Sequence, residues 1–551
     1  MKYLLSVLFL IILTGTSAQS YKVTYQRSYN DKVSPQQDPL LVFTDANQTV
    51  ITTHNITQST SSYPYETFYV DRKSGGYYKL TNFSASKELA TLDTTILGRD
   101  KITLTDETKT ILGYRCKKAI TSVNSNSIEL WYTNDLNVKG APNELGQNIG
   151  LVLEYVRNGN TKITAIHVEK LSHIPSNVAL RPFENVVDAL TYQDQVWKSR
   201  FIQIPIFQDE QINFNEKTTS DSVLRFANGT VIVKKIKVPE LAGGHQAFVQ
   251  LIEKSNGDAY DRTGSVFMIA DDQAQTFLDG MKNGMNTLPM YRNGDGKEYP
   301  GMVRTEGYSP VYELMRFFTP FGVSHFNDRL TLKGKTWQDS AIYRQDISEF
   351  LSLMAGKEVY VGTYIGNYDK GGHKVSLEIT IHPGASKMES PKVLPIFNTT
   401  NVMEMGGQTY ATFFSQEKGL EVTFELDKDA TDVQLRYITT GHGGWGGGDE
   451  FVPKENRIFL NGEPAFKFTP WRTDCGSYRL YNPVSGNFQN GLSSSDLSRS
   501  NWCPGTVTPP NYINLGSLKA GKHTIRVQIP QGEPEGTSFS FWNVSGALLY
   551  R

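Results

Sequence analysis

Cysteine is scarce: Cys116, Cys475 and Cys503 are the only three in 551 residues, so at most one intrachain disulfide forms. Cys475 and Cys503 can pair in an oxidising compartment, where closing a loop of that length stabilises by roughly 3–4 kcal/mol. Cys116 is then left over, and an unpaired cysteine is most often a buried, inert thiol. An excess of one charge is also missing, with 55 basic against 56 acidic residues and no long run of either sign. Nucleic acid and anionic membrane are therefore poor partners. The nine histidines are scattered and no His-Glu-x-x-His occurs. The acidic turns at 427–432 and 293–296 lack the full spacing of a calcium loop, so no metal site is expected. No Gly-x-Ser-x-Gly elbow presents a nucleophile. Carboxylates remain as the side chains able to carry chemistry.

Long apolar runs are absent too, apart from the start of the chain. Residues 1–20 give one early lysine, an apolar stretch from Tyr3 to Leu13, and the small residues Thr16 and Ala18 before Gln19. That three-part pattern predicts a signal peptide over 1–18 and export to the periplasm or beyond. The stretch is too short for a membrane span, which needs roughly 20 residues, and no later segment qualifies.

What the chain has in abundance is alternation. Apolar and polar residues alternate at 128–133, 231–238, 375–381, 421–426, 523–529 and 538–542, between turns rich in Gly, Asn, Asp and Pro. Period two indicates an all-β chain of sandwiches. Helices are expected only near 273–281 and 347–354; the second has Asp346 and Ser348 at its start and Gly356 just past its end. Proline-containing stretches at 172–182 and 382–395 divide the sequence into an N-terminal β-rich domain at 19–175 and further domains at 190–383 and 384–551.

Three segments could hold a site. Gly257-Asp258-Ala259-Tyr260-Asp261-Arg262 runs into an apolar strand and sets two carboxylates and an arginine at its mouth; by periodicity alone this is an ordinary turn, where aspartate serves local hydrogen bonds. The run from Thr439 to Phe451 surrounds Trp445 with six glycines and ends on Asp449 and Glu450. It lacks the Gly-Lys-Ser/Thr of a phosphate loop. Backbone that approaches a bulky polar ligand closely, with an indole as platform, suits a glycan; a linker is the plainer alternative. Arg499-Ser500-Asn501-Trp502-Cys503-Pro504-Gly505 holds an arginine and a tryptophan beside a potential disulfide, and reads equally as a packed structural corner.

Taken in order, these segments are similar to the peptide:N-glycosidase F family over about 190–551. Asp258-Ala259-Tyr260-Asp261-Arg262 keeps the family's Asp-x-aromatic-Asp-Arg nucleus. Arg316-Phe317-Phe318-Thr319-Pro320-Phe321 looks like its Arg-Phe-Ile-Thr-Pro-Tyr, and Val393-Leu394-Pro395-Ile396 like the start of its second domain. Gly441-His442 and Glu450 fall where it has a Gly-His and a second active-site glutamate, and Arg499 to Gly505 matches its Arg-x-x-Trp-Cys-Pro-Gly. The resemblance implies two tandem jelly-roll domains, at 190–383 and 384–551. Departures are definite: Gly257, Gly448 and Val452 stand at cysteine positions, so two family disulfides are missing. Gly362 stands where the family has a further glutamate, beside Tyr364. In the N-terminal block, the segments Leu112 to Ala119 and Ala141 to Glu154 resemble GLPGLI-type domains of exported proteins, which implies an accessory module or a folding spacer.

The activity implied is a peptide-N-glycosidase, an amidase that hydrolyses the linear amide between the innermost GlcNAc and asparagine, giving aspartate and a glycosylamine. Asp261 and Glu450 are the implied catalytic pair, Asp261 at the amide and Glu450 orienting sugar and water. Asp258, Arg262, Tyr364, His442, Arg499 and Trp502 are the implied substrate contacts, and Cys475–Cys503 the disulfide. The gap at Gly362 leads us to expect tolerance of core α1,3-fucose. No cofactor is expected; N-glycoproteins and N-glycopeptides are the partners, met by a monomer. An endo-acting glycoside hydrolase using the same two carboxylates, or a non-catalytic glycan-binding jelly roll, are the rival readings.

Overall fold

Thr, Val, Ile and aromatic side chains alternating with polar ones fit a pleated, half-buried surface, and the chain accordingly folds as strands. The computed structural model describes residues 19–33, 38–99, 101–215, 222–241, 243–270, 273–322, 331–384, 390–403, 413–443, 447–483, 493–533 and 539–551. The expected signal segment at 1–18 and Trp445 lie outside the described residues. Strands form at Asn126–Thr133, Val231–Lys237, His373–His382, Leu420–Leu426 and Gly521–Gln528, close to the expected bounds. The last runs Phe541–Tyr550, with Ser538 outside the described residues. The expected helix at 273–281 is later and shorter, Phe277–Asn283, because Asp279 accepts the Thr276 backbone N–H at 2.7 Å and fixes the start there. That at 347–354 is a tight turn, Ser348–Phe350, leading into Leu351–Met354, with Asp346 accepting the Ser348 N–H at 2.9 Å. Among the described residues no helix is long and apolar enough to cross a membrane.

The chain divides into two units, meeting at Arg200 and Phe201. Among its described residues the N-terminal unit forms one 13-stranded sheet. It reaches past the expected boundary at 175. Val186–Val187 adds in parallel to Lys87–Asp93, and the helix Ala189–Lys198, capped by the Asp188 carboxylate, docks its Tyr192 hydroxyl on Thr81 at 2.7 Å. Cys116 sits fully buried among Tyr25, Trp131 and Leu153, and burial pushes its thiol up to about 11.

The second unit holds two jelly-roll sandwiches. In the first, Ile202–Ile212, His373–His382, Gln246–Ser255 and Ala341–Asp346 make one sheet. The facing sheet orders Leu224–Phe226, Val231–Lys237, Glu358–Ile365, Thr263–Ile269 and Tyr312–Phe318. Val249, Leu251, Val266, Leu314 and Ile379 fill the space between them, fully buried. In the second, Lys392–Asn398, Phe541–Tyr550, Ala430–His442 and Asn511–Leu518 face Leu420–Leu426, Gly521–Gln528, Asn456–Leu460 and Glu463–Phe468 over Leu435, Ile458, Ile525 and Val544.

The two sandwiches are tied together where the site forms. Val507–Thr508, from the second, extends the first's sheet by pairing with Arg316 and Phe317. Arg316 is wholly enclosed; it pairs with Glu313 at 2.7 Å and donates to the Asn543 carbonyl at 2.6 Å and Thr440 at 3.1 Å. Arg436 returns from the second, donating to Glu349 at 2.7 Å and to the Glu313 and Leu314 carbonyls. A buried guanidinium with its fork filled in this way is rigid in register, because any slip strands a charge without partners.

Candidate active site

Asp261 sits on the turn between Gln246–Ser255 and Thr263–Ile269. The turn is built by short-range hydrogen bonds: Asp258 Oδ1 accepts the Tyr260 N–H at 3.2 Å and the Ser255 hydroxyl donates to the Asp258 carbonyl at 2.5 Å. Gly257, at φ +148°, has Asp369 Oδ1 2.6 Å from where a Cβ would stand, so a side chain there would be strained and would have to displace Asp369. Thr319, from the Arg316–Phe321 motif, braces the far side. Its hydroxyl donates to the Tyr260 carbonyl at 3.0 Å and accepts the Arg262 N–H at 2.8 Å.

Underneath runs a chain of buried charges. The Arg262 guanidinium donates to both Asp258 oxygens, at 2.7 and 3.2 Å. His373, wholly enclosed, places Nε2 3.4 Å from Asp258 and Nδ1 2.8 Å from Glu253. Although burial disfavours its charge, hydrogen bonds to the two carboxylates raise His373 to about 9. Burial opposes ionisation of Asp258 as well, but His373 and Arg262 overcome it and hold the carboxyl down at about 2.

Glu450 arrives from the second sandwich. Its backbone is fixed by the Ser500 N–H donating to its carbonyl at 3.0 Å and by its own N–H reaching the Gly443 carbonyl. The neighbouring Asp449 is fully buried and accepts from Trp542 Nε1 at 2.7 Å and the Gly532 N–H at 3.0 Å. Only one side of this short segment therefore faces outward, and Glu450 is on it.

Arg499 joins the two carboxylates. Its Nη1 donates to Glu450 Oε1 at 2.6 Å and to Asp261 Oδ2 at 3.1 Å, while Nη2 donates to the Ser494 carbonyl at 2.6 Å. The guanidinium lies 4.3 Å over the Trp502 ring, which stacks in turn on Phe318 at 4.3 Å. The Cys475–Cys503 disulfide, one residue on, holds that corner. About a fifth of each carboxylate side chain reaches solvent, whereas Arg499 is 1% exposed. Burial raises both acids above their ordinary values. In Glu450 it outweighs Arg499 and, aided by the Asp261 charge, brings the group to about 7; in Asp261 it likewise exceeds the pull of Arg499. One cation faces two largely buried carboxylates and offsets the charge of one of them, so ionisation of the second is pushed to higher pH. A proton acceptor and a proton donor thus sit side by side.

Most of the implied sugar contacts fall elsewhere. Asp258 is enclosed by His373 and Arg262. His442 is buried, stacked on Phe541 at 5.0 Å, with Nε2 2.8 Å from Thr440; burial and the nearby arginines hold it well below the usual histidine range. Trp502 donates Nε1 to the Gly441 carbonyl at 2.9 Å and is buried, and Tyr364 lies in a core with Val231 and Phe267. Asp258, His442 and Trp502 support the site from behind, because the same motifs must both carry its acids and pack its floor, while Tyr364 packs in a core of its own. Arg262, with a side chain 23% exposed, is the implied contact that reaches the surface. The gap expected at Gly362 is closed: Phe267, its cross-strand partner, lays its ring over the glycine, and a methyl there would run into it. One residue was passed over. Tyr260 is 58% exposed beside Asp261, with the Arg262 guanidinium 4.8 Å over its ring. An aromatic residue at a turn tip was the available signal.

Three family models match the chain. Residues 23–194 match the one described as N-glycanase peptide, N-terminal domain. Residues 203–381 match peptide-N-glycosidase F, N terminal, and 409–549 match peptide-N-glycosidase F, C terminal. Two solved structures, of PNGF-II in the C2 and P21 space groups, are each 54% identical with a TM-score of 0.90. They cover 97% of this chain and 98% and 99% of their own. Curated proteins return no match.

Proposed function

The chain belongs to the peptide-N-glycosidase F family and is an N-glycan amidase, and from that premise we propose that Asp261, Glu450 and Arg499 hydrolyse the amide joining the innermost GlcNAc to asparagine. The observation that carries the proposal is the meeting of two carboxylates, each about a fifth exposed and one from each sandwich, on one buried arginine. Amide hydrolysis needs an activated water, charge stabilisation at the tetrahedral oxygen and a proton for the departing amine. Asp261 takes the proton from the attacking water and returns it to the leaving nitrogen. Glu450, holding a proton near pH 7, hydrogen-bonds the sugar and the water and sets their position. Arg499 keeps the pair from repelling, and Arg262 with Tyr260 offers a cation and an aromatic face at the rim. Water replaces the amide nitrogen at the asparagine carbonyl, leaving aspartate and a glycosylamine.

Mass spectrometry of a denatured N-glycoprotein before and after incubation tests this. Glycosylated asparagine becomes aspartate, and Asp261→Ala abolishes the change; asparagine retaining one GlcNAc would establish a glycosidase instead. The core α1,3-fucose part of the reading draws nothing from Gly362, whose space Phe267 occupies, and is measured directly by release from fucosylated against unfucosylated glycopeptides. We also propose that the protein is exported and acts as a monomer. The apolar start of the chain and the Cys475–Cys503 bond support the first, and completion of the cluster within one chain the second. Cell fractionation and sedimentation test them.

A further inference from the structure

The N-terminal unit contains a cleft of about 760 Å³, within the roughly 300–1,000 Å³ typical of small-ligand sites. Its floor is one face of three neighbouring strands, Tyr65–Asp71, Gly76–Ser84 and Lys87–Asp93. Alternate residues share that face, which aligns Phe68 with Lys79 and Thr91, and Tyr77 with Asp93. The helix Ala189–Lys198 forms one wall through Tyr192, Val196 and Trp197, and the helical turn Ile96–Arg99 another.

Three features say what fits. The wall ends in an indole that is 61% exposed, with the Arg200 guanidinium 5.8 Å over its ring. An exposed Trp beside a cavity is a flat apolar surface with a polar edge, matched by the C–H face of a pyranose. Second, Glu66 is held in place at the cleft, its Oε1 accepting the Tyr192 hydroxyl at 2.8 Å, so a fixed acceptor stands on the floor. Third, the charges cancel: the acids Glu66, Asp93 and Glu144 are matched by the bases Lys79, Arg99 and Arg200. A polyanion or polycation finds no net field there, whereas a neutral ligand dense in hydroxyls finds donors and acceptors together.

We propose that this cleft is a non-catalytic oligosaccharide-binding site, which takes the neutral outer part of an N-glycan against Trp197. The commitment to a glycan rests on the chain's being an N-glycan amidase; a peptide strand is the competing occupant.

The test uses the full chain and a free neutral high-mannose glycan, which carries no asparagine and so is not turned over. Hydrogen exchange should slow along Tyr65–Asp93 and Ala189–Lys198 when glycan is added. Trp197→Ala should weaken binding read at those segments about ten-fold or more, as loss of an aromatic anchor does. Lys79→Met, on the floor, should weaken it as well and guards against a local effect of the helix. No protection of these segments at saturating glycan overturns the proposal. So does equal protection by a glycan-free peptide that Trp197→Ala abolishes. Because the readout is binding in the N-terminal unit, it fails or succeeds separately from release of aspartate at Asp261.

Discussion

Replacing His373 with glutamine removes the one cation enclosed between Glu253 and Asp258 and leaves two buried carboxylates with Arg262 alone to offset them. The size of the loss follows from the protonation equilibria. His373 is raised from 6.5 to about 9, worth about 3 kcal/mol, and Asp258 is lowered from 3.8 to about 2, worth about 2 kcal/mol. Both figures describe largely the same contact, so they are not added; about 2–3 kcal/mol is the expected destabilisation at pH 6. The sign with pH is fixed as well. The histidine contribution is complete below pH 6.5, falls as pH rises, and is gone above about 9. The Asp258 contribution is complete above pH 3.8 and is lost as pH falls through 2. Thermal unfolding followed from pH 6 to 10 should therefore show a wild-type midpoint that declines across this window and a His373→Gln midpoint that starts several degrees lower and declines less. Activity should fall about ten-fold or more, mainly in kcat, because Asp261 is carried on the turn that Asp258 and Arg262 anchor. A variant as stable as wild type at pH 6, or one that keeps the full alkaline decline, refutes the reasoning. Gly257 stands where the family resemblance places a cysteine, and here buried charge pairs hold the turn.

Glu450 is raised from 4.5 to about 7, so its buried charge costs stability progressively as pH rises between those values; Glu450→Gln should gain on wild type across that interval while losing activity, and a difference that is flat with pH refutes this. Arg499→Met leaves Asp261 and Glu450 facing each other without a cation and should cost about 100-fold or more in kcat, with Arg499→Lys recovering part of it, as steady-state rates on a glycopeptide will show. Gly362→Ala drives a methyl into the Phe267 ring and should destabilise by about 1–3 kcal/mol in denaturant titration, without opening the site to a larger substrate. Cys116, enclosed and with its thiol pushed up to about 11, should stay unmodified by a thiol reagent until the protein unfolds.

Strand identity was legible from residue order alone, whereas the two carboxylates came from the resemblance that their motifs carry. Alternation is a local property, and it placed Val231–Lys237, His373–His382 and Leu420–Leu426 within two residues. The ordered motifs around Asp261, Glu450 and Arg499 to Gly505 pointed to one site although they lie far apart in the chain, because together they resemble one family's pattern. What alternation does not encode is which neighbour covers a side chain. His442, Trp502, Tyr364 and Asp258 carry groups suited to binding sugar, and only the packing of Phe541, Phe318, Phe267 and His373 against them makes them interior. Gly362 read as a vacancy for the same reason: a missing side chain is visible in the sequence, the ring that crosses from the next strand is not. The extension of the N-terminal unit to Arg200 depended on a two-residue parallel pairing and one tyrosine hydroxyl, contacts between segments about a hundred residues apart. Sequence alone determined the all-β architecture and the lone disulfide partners; tertiary structure decided that one arginine binds both candidate acids and that most of the surrounding motif is their support, because burial and charge pairing arise only when distant segments meet.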